Sequence, residues 1–476
     1  MNTANWLSRN VSRLLPAASP KQANIDTEPG ATLAPRPIAV RLQATLRQEG
    51  EALSPRLLRR ALQELHGIVD SRASEIEGGR RAKEVAAWHA GAPVAQRHDL
   101  WLLMSELFVA DAQKTRDAQA KFAAAVGTLD EAAAEVHYRR ATVSPRRRLL
   151  QRFSVYAEGV AFLVDLRAQM LPFLKGDKRL MALDVELEYM FSTWFDVGFL
   201  DLRRISWDSP ASLIEKLIKY EAVHDIKSWA DVKNRLDSDR RCYGFFHPRL
   251  PGVPLIFVEV ALVDAITDSI LPLLDEQAAA SDLDKATTAI FYSISNTQPG
   301  LRGVSFGDSL IKRVVETLKV EFPKLRVFAT LSPIPGLRSW LVKNAQAMLD
   351  TLLEKDRTAL GQAIGADPLT AGTFLAALES PLALSEKSVV RRALLRFAAH
   401  YLGQAKPLDP VARFHLGNGA RVERLNWAGD PSPKGIKQAY GLMVNYLYDL
   451  KRLDKHLALL AQGKVPVSTE IQDLYI

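Results

Sequence analysis

The fold is decided by the stretch TAIFYSISNTQPGLRGVSFGDSLIKRVVETLKVEFPKLRVFATLSPIPG, residues 288–336. Residues 288–295 are strand-like and lead into a turn that contains Gly300, Gly303 and Gly307. The segment after the turn has the apolar spacing of an amphipathic helix. Its apolar positions are Leu310, Ile311, Val314, Val315, Leu318 and Phe322. A second strand-like run, 325–331, comes next, and this alternation predicts an α/β domain.

The glycine turn is a candidate anion site. Glycine lets the backbone approach a ligand closely, and free N–H groups at the start of a helix favour phosphate. The pattern is neither a Walker loop nor a clean G-x-G-x-x-G, and most glycine turns before helices bind nothing. The turn therefore indicates an anion cradle only in combination with other features.

Ser332 follows the next strand directly. Residues just beyond the carboxyl ends of strands in α/β sheets face the ligand crevice, which makes this serine a candidate site residue. The alternative is that Ser332 only turns the chain before Pro333, and spacing alone favours that alternative.

The remainder of the C-terminal half continues the alternation of strands and helices. Strands are predicted at 241–247, 254–262 and 420–427. Helices are predicted within 206–224, 386–405 and 434–456. For the first of these helices, Ser209 is the predicted N-cap and Pro210 the first helical residue.

The N-terminal half has a different pattern. Residues 16–38 are rich in Pro, Ala, Ser and Thr and are typical of a linker. From 39 to about 200 the pattern is helical, with regular apolar spacing in 99–113 and 156–174. A helical segment of this length without clusters of catalytic residue types predicts a bundle or an oligomerisation domain.

Composition argues against a nucleic-acid-binding protein, a membrane-spanning protein and a protein with intrachain disulfides. The net charge of +8 suits anionic partners, but the basic residues are dispersed, so we expect no nucleic-acid partner. No window has the roughly 18 uncharged apolar residues of a membrane span. Cys242 is the only cysteine, which excludes an intrachain disulfide and fits a reducing compartment. The first 24 residues have either the pattern of a mitochondrial presequence or that of a bacterial N-terminal arm.

His415 stands out among the nine histidines because it is predicted to lie in a loop. A loop histidine titrates near neutrality and can move protons. The sequence does not establish that His415 and Ser332 meet.

Long segments of the chain resemble the malonyl-CoA decarboxylase family. The stretch 289–336 resembles that family's central signature, and PVARFHLGNGARVERLNW (410–427) and GLMVNYLYDL (441–450) resemble its C-terminal signature. The resemblance extends to 206–224 and 240–262 and covers most of residues 155–450.

The resemblance implies a lyase that converts malonyl-CoA to acetyl-CoA and CO2 without a metal or organic cofactor. It also implies a two-domain α+β architecture and a homotetramer that is a dimer of dimers. We therefore expect a flexible arm at 1–38, an all-α helical oligomerisation domain at 39–203 and a GNAT-like α/β catalytic domain at 204–476.

The resemblance also implies site residues. The family's catalytic serine, histidine and tyrosine fall on Ser332, His415 and Tyr448. Its binding turn for the CoA phosphates falls on Arg302, Gly303, Val304, Ser305, Phe306, Gly307 and Asp308. Animal members carry glutamate where this chain has Ser305, so a carboxylate role there does not carry over.

Loss of CO2 from a malonyl thioester leaves an enolate that must be stabilised and then protonated. We hypothesise that Ser332 orients the malonyl group, that His415 donates the proton and that Tyr448 positions one of them. Whether Ser332 acts as a hydrogen-bond donor or as a proton acceptor stays open.

Two rival functions and two subcellular locations are compatible with the sequence. A GNAT-like acyl-CoA N-acyltransferase would share the fold and the CoA cradle but needs an amine acceptor. A basic helical scaffold would bind polyanions without turnover. We expect a bacterial cytoplasmic enzyme of malonate or fatty-acid metabolism without stable membrane insertion, or a mitochondrial-matrix enzyme if the arm is a presequence.

Overall fold

The computed structural model describes Ile38, Arg41 and residues 53–304, 310–384 and 388–475. The chain forms two compact units. The helical unit comprises the described part of Met1–Asp196 together with Arg249–Pro251 and Gln298–Ser305, and the sheet unit comprises the described remainder. In these residues no helix is long and apolar enough to cross a membrane.

The helical unit is built from eight α-helices among its described residues. Ser54, Ser74, Asp111 and Ser144 accept N–H groups at four helix starts, which supplies partners for donors that a helix leaves unpaired. The helices are α1 Pro55–Val69, α2 Glu75–Gly91, α3 Val94–Glu106, α4 Ala112–Ala125, α5 Glu131–Thr142, α6 Pro145–Phe153, α7 Gly159–Met170 and α8 Met181–Trp194.

One helix of this unit differs from the prediction. The apolar spacing of 99–113 predicted a single helix, but α3 ends at Glu106 and α4 begins at Ala112. The cause is Asp111, whose carboxylate accepts the N–H groups of Gln113 and Lys114 and so starts a new helix.

The sheet unit contains eight strands in the order β1-β2-β3-β4-β5-β8-β6, with β7 also paired to β8. Strands β4 and β5 are parallel, whereas β1–β2, β2–β3, β3–β4 and the pairs made by β8 are antiparallel. The strands are β1 Asp201–Ile205, β2 Arg240–Phe246, β3 Pro254–Val263, β4 Thr288–Asn296, β5 Val327–Thr330, β6 Ser332–Pro333, β7 Arg421–Asn426 and β8 Met443–Leu447.

Twelve α-helices among the described residues surround or connect these strands. They are α9 Ala211–Tyr220, α10 Trp229–Arg235, α11 Leu271–Leu274, α12 Leu310–Glu321, α13 Leu337–Asp350, α14 Glu354–Ile364, α15 Ala371–Ala377, α16 Val389–Leu402, α17 Pro410–Gly417, α18 Pro433–Ala439, α19 Leu453–Ala461 and α20 Thr469–Gln472. A helical region followed by a domain on a mixed sheet confirms the predicted fold class.

The core of the sheet unit lies against the strands in two clusters. One joins Ile290 of β4, Ala329 of β5 and Met443 of β8 with neighbouring apolar residues. The other packs α9 and α10 on β2 and β3 and includes Cys242, which is 1% exposed. The only thiol of the chain is therefore part of the packed interior.

The predicted continuous helix at 434–456 is wrong, because only its two ends are helical, in α18 and from Leu453 in α19. The helix α18 ends at Ala439, Tyr440 and Gly441 both adopt positive φ angles, and the chain then forms β8 in the middle of the sheet. Positive φ ends a helix, and the alternation Val444-Asn445-Tyr446 suits a strand. The helical spacing of the apolar residues in this segment was coincidental.

The start of α9 also differs from the prediction. The helix begins at Ala211 with Pro210 in the capping position, and no side chain caps it. The hydroxyl of Ser209 instead accepts the N–H group of Ser206, which closes the preceding turn. The predicted N-cap role of Ser209 is therefore wrong.

Candidate active site

Ser332 lies where the chain leaves β5. The parallel pairing of β4 with β5 ends at Phe291 and Thr330, and Ser332 then pairs with Val444 of β8. Its side chain is nearly buried, with 5% of the residue exposed. Ser332 is therefore buried in the sheet unit two residues beyond the last pair of β4 and β5.

His415 is in the last turn of α17, not in a loop as predicted. Its Nε2 atom is 3.2 Å from the Ser332 hydroxyl oxygen, and its Nδ1 atom is 2.7 Å from the Tyr448 hydroxyl. The ring of Tyr446 stacks on the imidazole at a centroid distance of 4.7 Å. Both ring nitrogens are thus engaged by hydroxyl groups, and the ring plane is fixed by stacking.

Tyr448 follows β8 directly and is 4% exposed. Its N–H group donates to the carbonyl oxygen of Phe328 in β5 at 2.9 Å, which anchors the backbone on the strand that leads to Ser332. Its ring also makes an edge contact with Phe291 of β4. The structure therefore brings Ser332, His415 and Tyr448 together, although the three come from separate segments of the sequence.

Burial sets the ionisation states of the histidine and the tyrosine. It lowers the pKa of His415 to about 3 and raises the pKa of Tyr448 above its ordinary value. The expectation that His415 titrates near neutrality is therefore wrong, because it assumed a solvated loop. At neutral pH the imidazole is uncharged and carries one N–H group, and the phenol is protonated.

Asp409 ties the helix of His415 to the turn after Ser332. One carboxylate oxygen accepts the N–H groups of Val411 and Ala412 and caps α17, a contact of about 1 kcal/mol. The other oxygen accepts the N–H group of Gly336 at 3.2 Å. Desolvation raises the pKa of this buried carboxyl, and these N–H groups oppose the rise.

The described part of the candidate phosphate turn belongs to the helical unit. Arg302 is exposed, Val304 is buried and Gly303 has a φ of 83°, a conformation that favours glycine. Gly300 lies so close to α7 that an added Cβ atom would be 1.9 Å from the carbonyl oxygen of Val164. Ser305, Phe306, Gly307 and Asp308 lie outside the described residues.

Arg167 fixes the backbone of this turn and was not predicted from the sequence. Its guanidinium is buried and donates to the carbonyl oxygens of Gly300 and Arg302 at 2.8 Å each. The carboxylate of Asp184 accepts from the same guanidinium at 2.8 Å. With its carbonyl groups held in this way, the turn presents the exposed Arg302 side chain from a fixed backbone.

Asp409 was also missed, although the sequence contained a signal for it. An aspartate directly before a proline is a common start of a helix, and Asp409-Pro410 predicts α17. No comparable local signal exists for Arg167, because the carbonyl groups of Gly300 and Arg302 that it holds are more than 130 positions away in the sequence.

Two domain models of one protein family match this chain, and solved structures of the same name are similar to it. Residues 198–475 match the model of the malonyl-CoA decarboxylase C-terminal domain, and 108–195 match that of the N-terminal domain. The malonyl-CoA decarboxylase of Rhodopseudomonas palustris has 38% identity and a TM-score of 0.75, over 87% of this chain and 99% of that chain. The Cupriavidus metallidurans protein of the same name has 42% identity and a TM-score of 0.71, over 88% and 100%.

A relative with the same name is also similar in sequence to this chain. The mitochondrial malonyl-CoA decarboxylase of the goose Anser anser anser is 37% identical over 398 residues, which is 78% of each chain.

Proposed function

The chain belongs to the malonyl-CoA decarboxylase family, and from this premise we propose that Ser332, His415 and Tyr448 carry out its reaction. The chain is a carboxy-lyase that releases CO2 from malonyl-CoA. The observation that supports the assignment of residues is the continuous hydrogen-bonded chain from Tyr448 through His415 to Ser332.

The reaction breaks the bond between the malonyl carboxylate and C2. The electron pair of this bond moves into the thioester carbonyl, CO2 leaves, and an enolate remains. The hydroxyl of Ser332 holds the malonyl carboxylate by donating a hydrogen bond, so that the breaking bond is aligned with the carbonyl π system. A proton must then be added to C2 to give acetyl-CoA.

His415 supplies that proton as a neutral imidazole. The Nε2 proton moves to C2, and the hydroxyl proton of Tyr448 moves to Nδ1, so the imidazole stays neutral throughout. A thioester enolate is a stronger base than a phenolate, which makes the transfer favourable. The site is restored when Nδ1 returns its proton to the Tyr448 phenolate and Nε2 takes a proton from water, so one solvent proton is consumed per turnover. This relay needs no histidine with a pKa near neutrality.

The turn at 302–308 is proposed to bind the phosphates of CoA. Three features of its described part support this role: the exposed Arg302 cation, the left-handed Gly303, and the carbonyl groups that Arg167 holds.

The decisive experiment mixes the purified chain with malonyl-CoA and no acyl acceptor, and follows acetyl-CoA by mass and CO2 release. We expect the wild type to form both products and Ser332→Ala to form acetyl-CoA at least about 100-fold more slowly. The matched control is Ser154→Ala in the helical unit, which removes a half-buried hydroxyl bonded to the carbonyl oxygen of Gln151 and should leave the rate unchanged.

The rival acyltransferase function makes the opposite prediction. An N-acyltransferase would leave malonyl-CoA intact until an amine is added, and would then release free CoA and a malonyl amide. If Ser332→Ala turns over malonyl-CoA at the wild-type rate, the proposed role of Ser332 is excluded, but the decarboxylase function is not.

Two finer expectations belong to this proposal. We propose a homotetramer assembled through the helical region, in a cytoplasmic bacterial enzyme. The α4–α5 hairpin supports assembly because its side chains are mostly exposed, including Val126, Leu129 and Val136. Light scattering measures the mass of the wild type and of Leu129→Asp in solution. A monomeric mass for both proteins would contradict the proposed assembly. The division of the chain at residues 38 and 203 stays a prediction.

A further inference from the structure

A second hydroxyl lies at the end of the hydrogen-bonded chain. Thr330 is the last residue of β5 and is fully buried. The Ser332 hydroxyl donates to the Thr330 hydroxyl oxygen at 2.8 Å. The N–H group of Tyr446 donates to the same oxygen at 3.1 Å.

These two contacts use the full accepting capacity of Thr330. A hydroxyl oxygen has two lone pairs, and the backbone of Tyr446 and the side chain of Ser332 occupy both. The carboxamide of Asn445 donates to the Thr330 carbonyl oxygen at 2.7 Å and accepts from Asn426 at 2.8 Å. The acceptor for Ser332 is therefore held in place from both its backbone and its side chain.

We propose that Thr330 is a positioning residue that selects the tautomer of His415 needed for proton donation. The inference rests on the proposed function and deepens it. Because the Ser332 hydroxyl proton is directed to Thr330, the Ser332 oxygen faces Nε2 as an acceptor, and Nε2 must carry the ring proton. Nδ1 is then bare and accepts the hydroxyl proton of Tyr448.

In this chain of hydrogen bonds, Tyr448 donates to His415, His415 donates to Ser332 and Ser332 donates to Thr330. The malonyl carboxylate replaces Thr330 as the acceptor of the Ser332 hydroxyl when substrate binds, and the direction is preserved. If the Thr330 hydroxyl is removed, the Ser332 hydroxyl can donate its hydrogen bond only to Nε2 of His415 within this group of side chains. The ring proton would then move to Nδ1, and each substrate molecule would have to reverse the chain on binding.

Histidine tautomers can be read directly in the wild-type protein. The chain is labelled with ¹⁵N in histidine, and the His415 signals are identified by their absence from the spectrum of His415→Asn. We expect the Nε2-protonated neutral form at pH 7.5. The Nδ1-protonated form would overturn the proposal. This measurement needs no turnover, so it succeeds or fails independently of the decarboxylase activity.

Steady-state kinetics of Thr330 variants provide the second test. We expect Thr330→Val to raise KM for malonyl-CoA about tenfold, the factor that corresponds to one buried hydrogen bond, with kcat within about threefold of wild type. Thr330→Ser keeps the oxygen and should restore KM to within about twofold. Thr288→Val is the control, because Thr288 is equally buried in β4 and lies outside the chain of hydroxyls.

The outcomes separate positioning from structure. Equal KM values for Thr330→Val and wild type, or the same rise in Thr330→Ser, would overturn the proposal. Thr330→Val also leaves the Tyr446 N–H group without its acceptor, so its melting temperature and circular dichroism are measured alongside. If it does not fold, Thr330→Ser and the wild-type tautomer still decide the question. Inactive wild-type protein would contradict the decarboxylase function and not the tautomer assignment.

Discussion

Two buried histidines, one in each unit, have similar burial and different partners. His89 in α2 of the helical unit is 2% exposed, and His415 in the sheet unit is 3% exposed. Burial lowers the pKa of His89 to about 4 and that of His415 to about 3. His89 accepts the indole N–H group of Trp101 at 3.0 Å, whereas His415 is bracketed by the hydroxyls of Ser332 and Tyr448.

A lowered pKa therefore does not by itself distinguish His415, the proposed proton donor, from His89. Both shifts have the same cause, which is desolvation of the charged ring. An indole N–H group only donates and keeps its proton, so the contact to Trp101 fixes packing. Hydroxyl groups both donate and accept, so the two contacts of His415 can pass a proton along the chain.

The largest expected effect comes from exchanging each ring for an amide. We expect His415→Asn to reduce kcat at least about 1000-fold, because the Nε2 proton is lost while the contact to Tyr448 can be kept. His89→Gln should keep kcat within about twofold. Acetyl-CoA formation measures both, and CoA affinity by calorimetry checks that binding survives. A comparable loss in both variants would remove the distinction between the two histidines.

A smaller loss is expected for Tyr448→Phe. The variant keeps the ring but cannot resupply Nδ1, so kcat should fall about 10- to 100-fold with little change in KM. Tyr243→Phe is the control, because the hydroxyl of Tyr243 is buried and has no hydrogen-bond partner among the described residues. Wild-type kcat in Tyr448→Phe would limit the relay to His415 and Ser332.

The next effect concerns stability in acid and involves His89. Its folded pKa of about 4 lies below the unfolded value of about 6.5, so its contribution is complete above pH 6.5 and is lost as pH falls toward 4. Between pH 7.5 and 5.0 the wild type should lose about 2 kcal/mol more unfolding free energy than His89→Gln. Urea titrations of both proteins at the two pH values measure this difference, and parallel losses would contradict it.

The smallest expected effect is a pH profile without a histidine step. With a pKa of about 3, His415 in the free enzyme stays neutral from pH 5.5 to 8, so kcat/KM should show no titration near 6.5. The measurement is initial rates at low malonyl-CoA across that range. A tenfold fall per pH unit below 6.5 would show that His415 is more solvated than its position in α17 indicates.

Local pattern predicted the elements that have a regular period. Strands β2 to β5 and β7 and the helix Leu310–Glu321 were confirmed, because the strand-like runs and the helical spacing were clear there. Strand β8 was missed because the positive φ angles at Tyr440 and Gly441, which end the preceding helix, leave little trace in apolar spacing.

The site residues were only partly accessible from the sequence. Ser332, His415 and Tyr448 were proposed from resemblance to a family, because no local pattern links Ser332 to His415, 83 positions away, or His415 to Tyr448, 33 positions away. Arg167 holds carbonyl groups more than 130 positions away, and the proposed role of Thr330 depends on the direction of a hydrogen bond. Such features depend on three-dimensional geometry that residue order does not contain.

The buried position of Cys242 has a practical consequence for labelling. It is the only cysteine of the chain, and burial raises its pKa well above the ordinary value, which suppresses the reactive thiolate. The folded protein therefore offers maleimide reagents no native thiol. A single cysteine introduced on either unit would be labelled selectively, without first building a cysteine-free background.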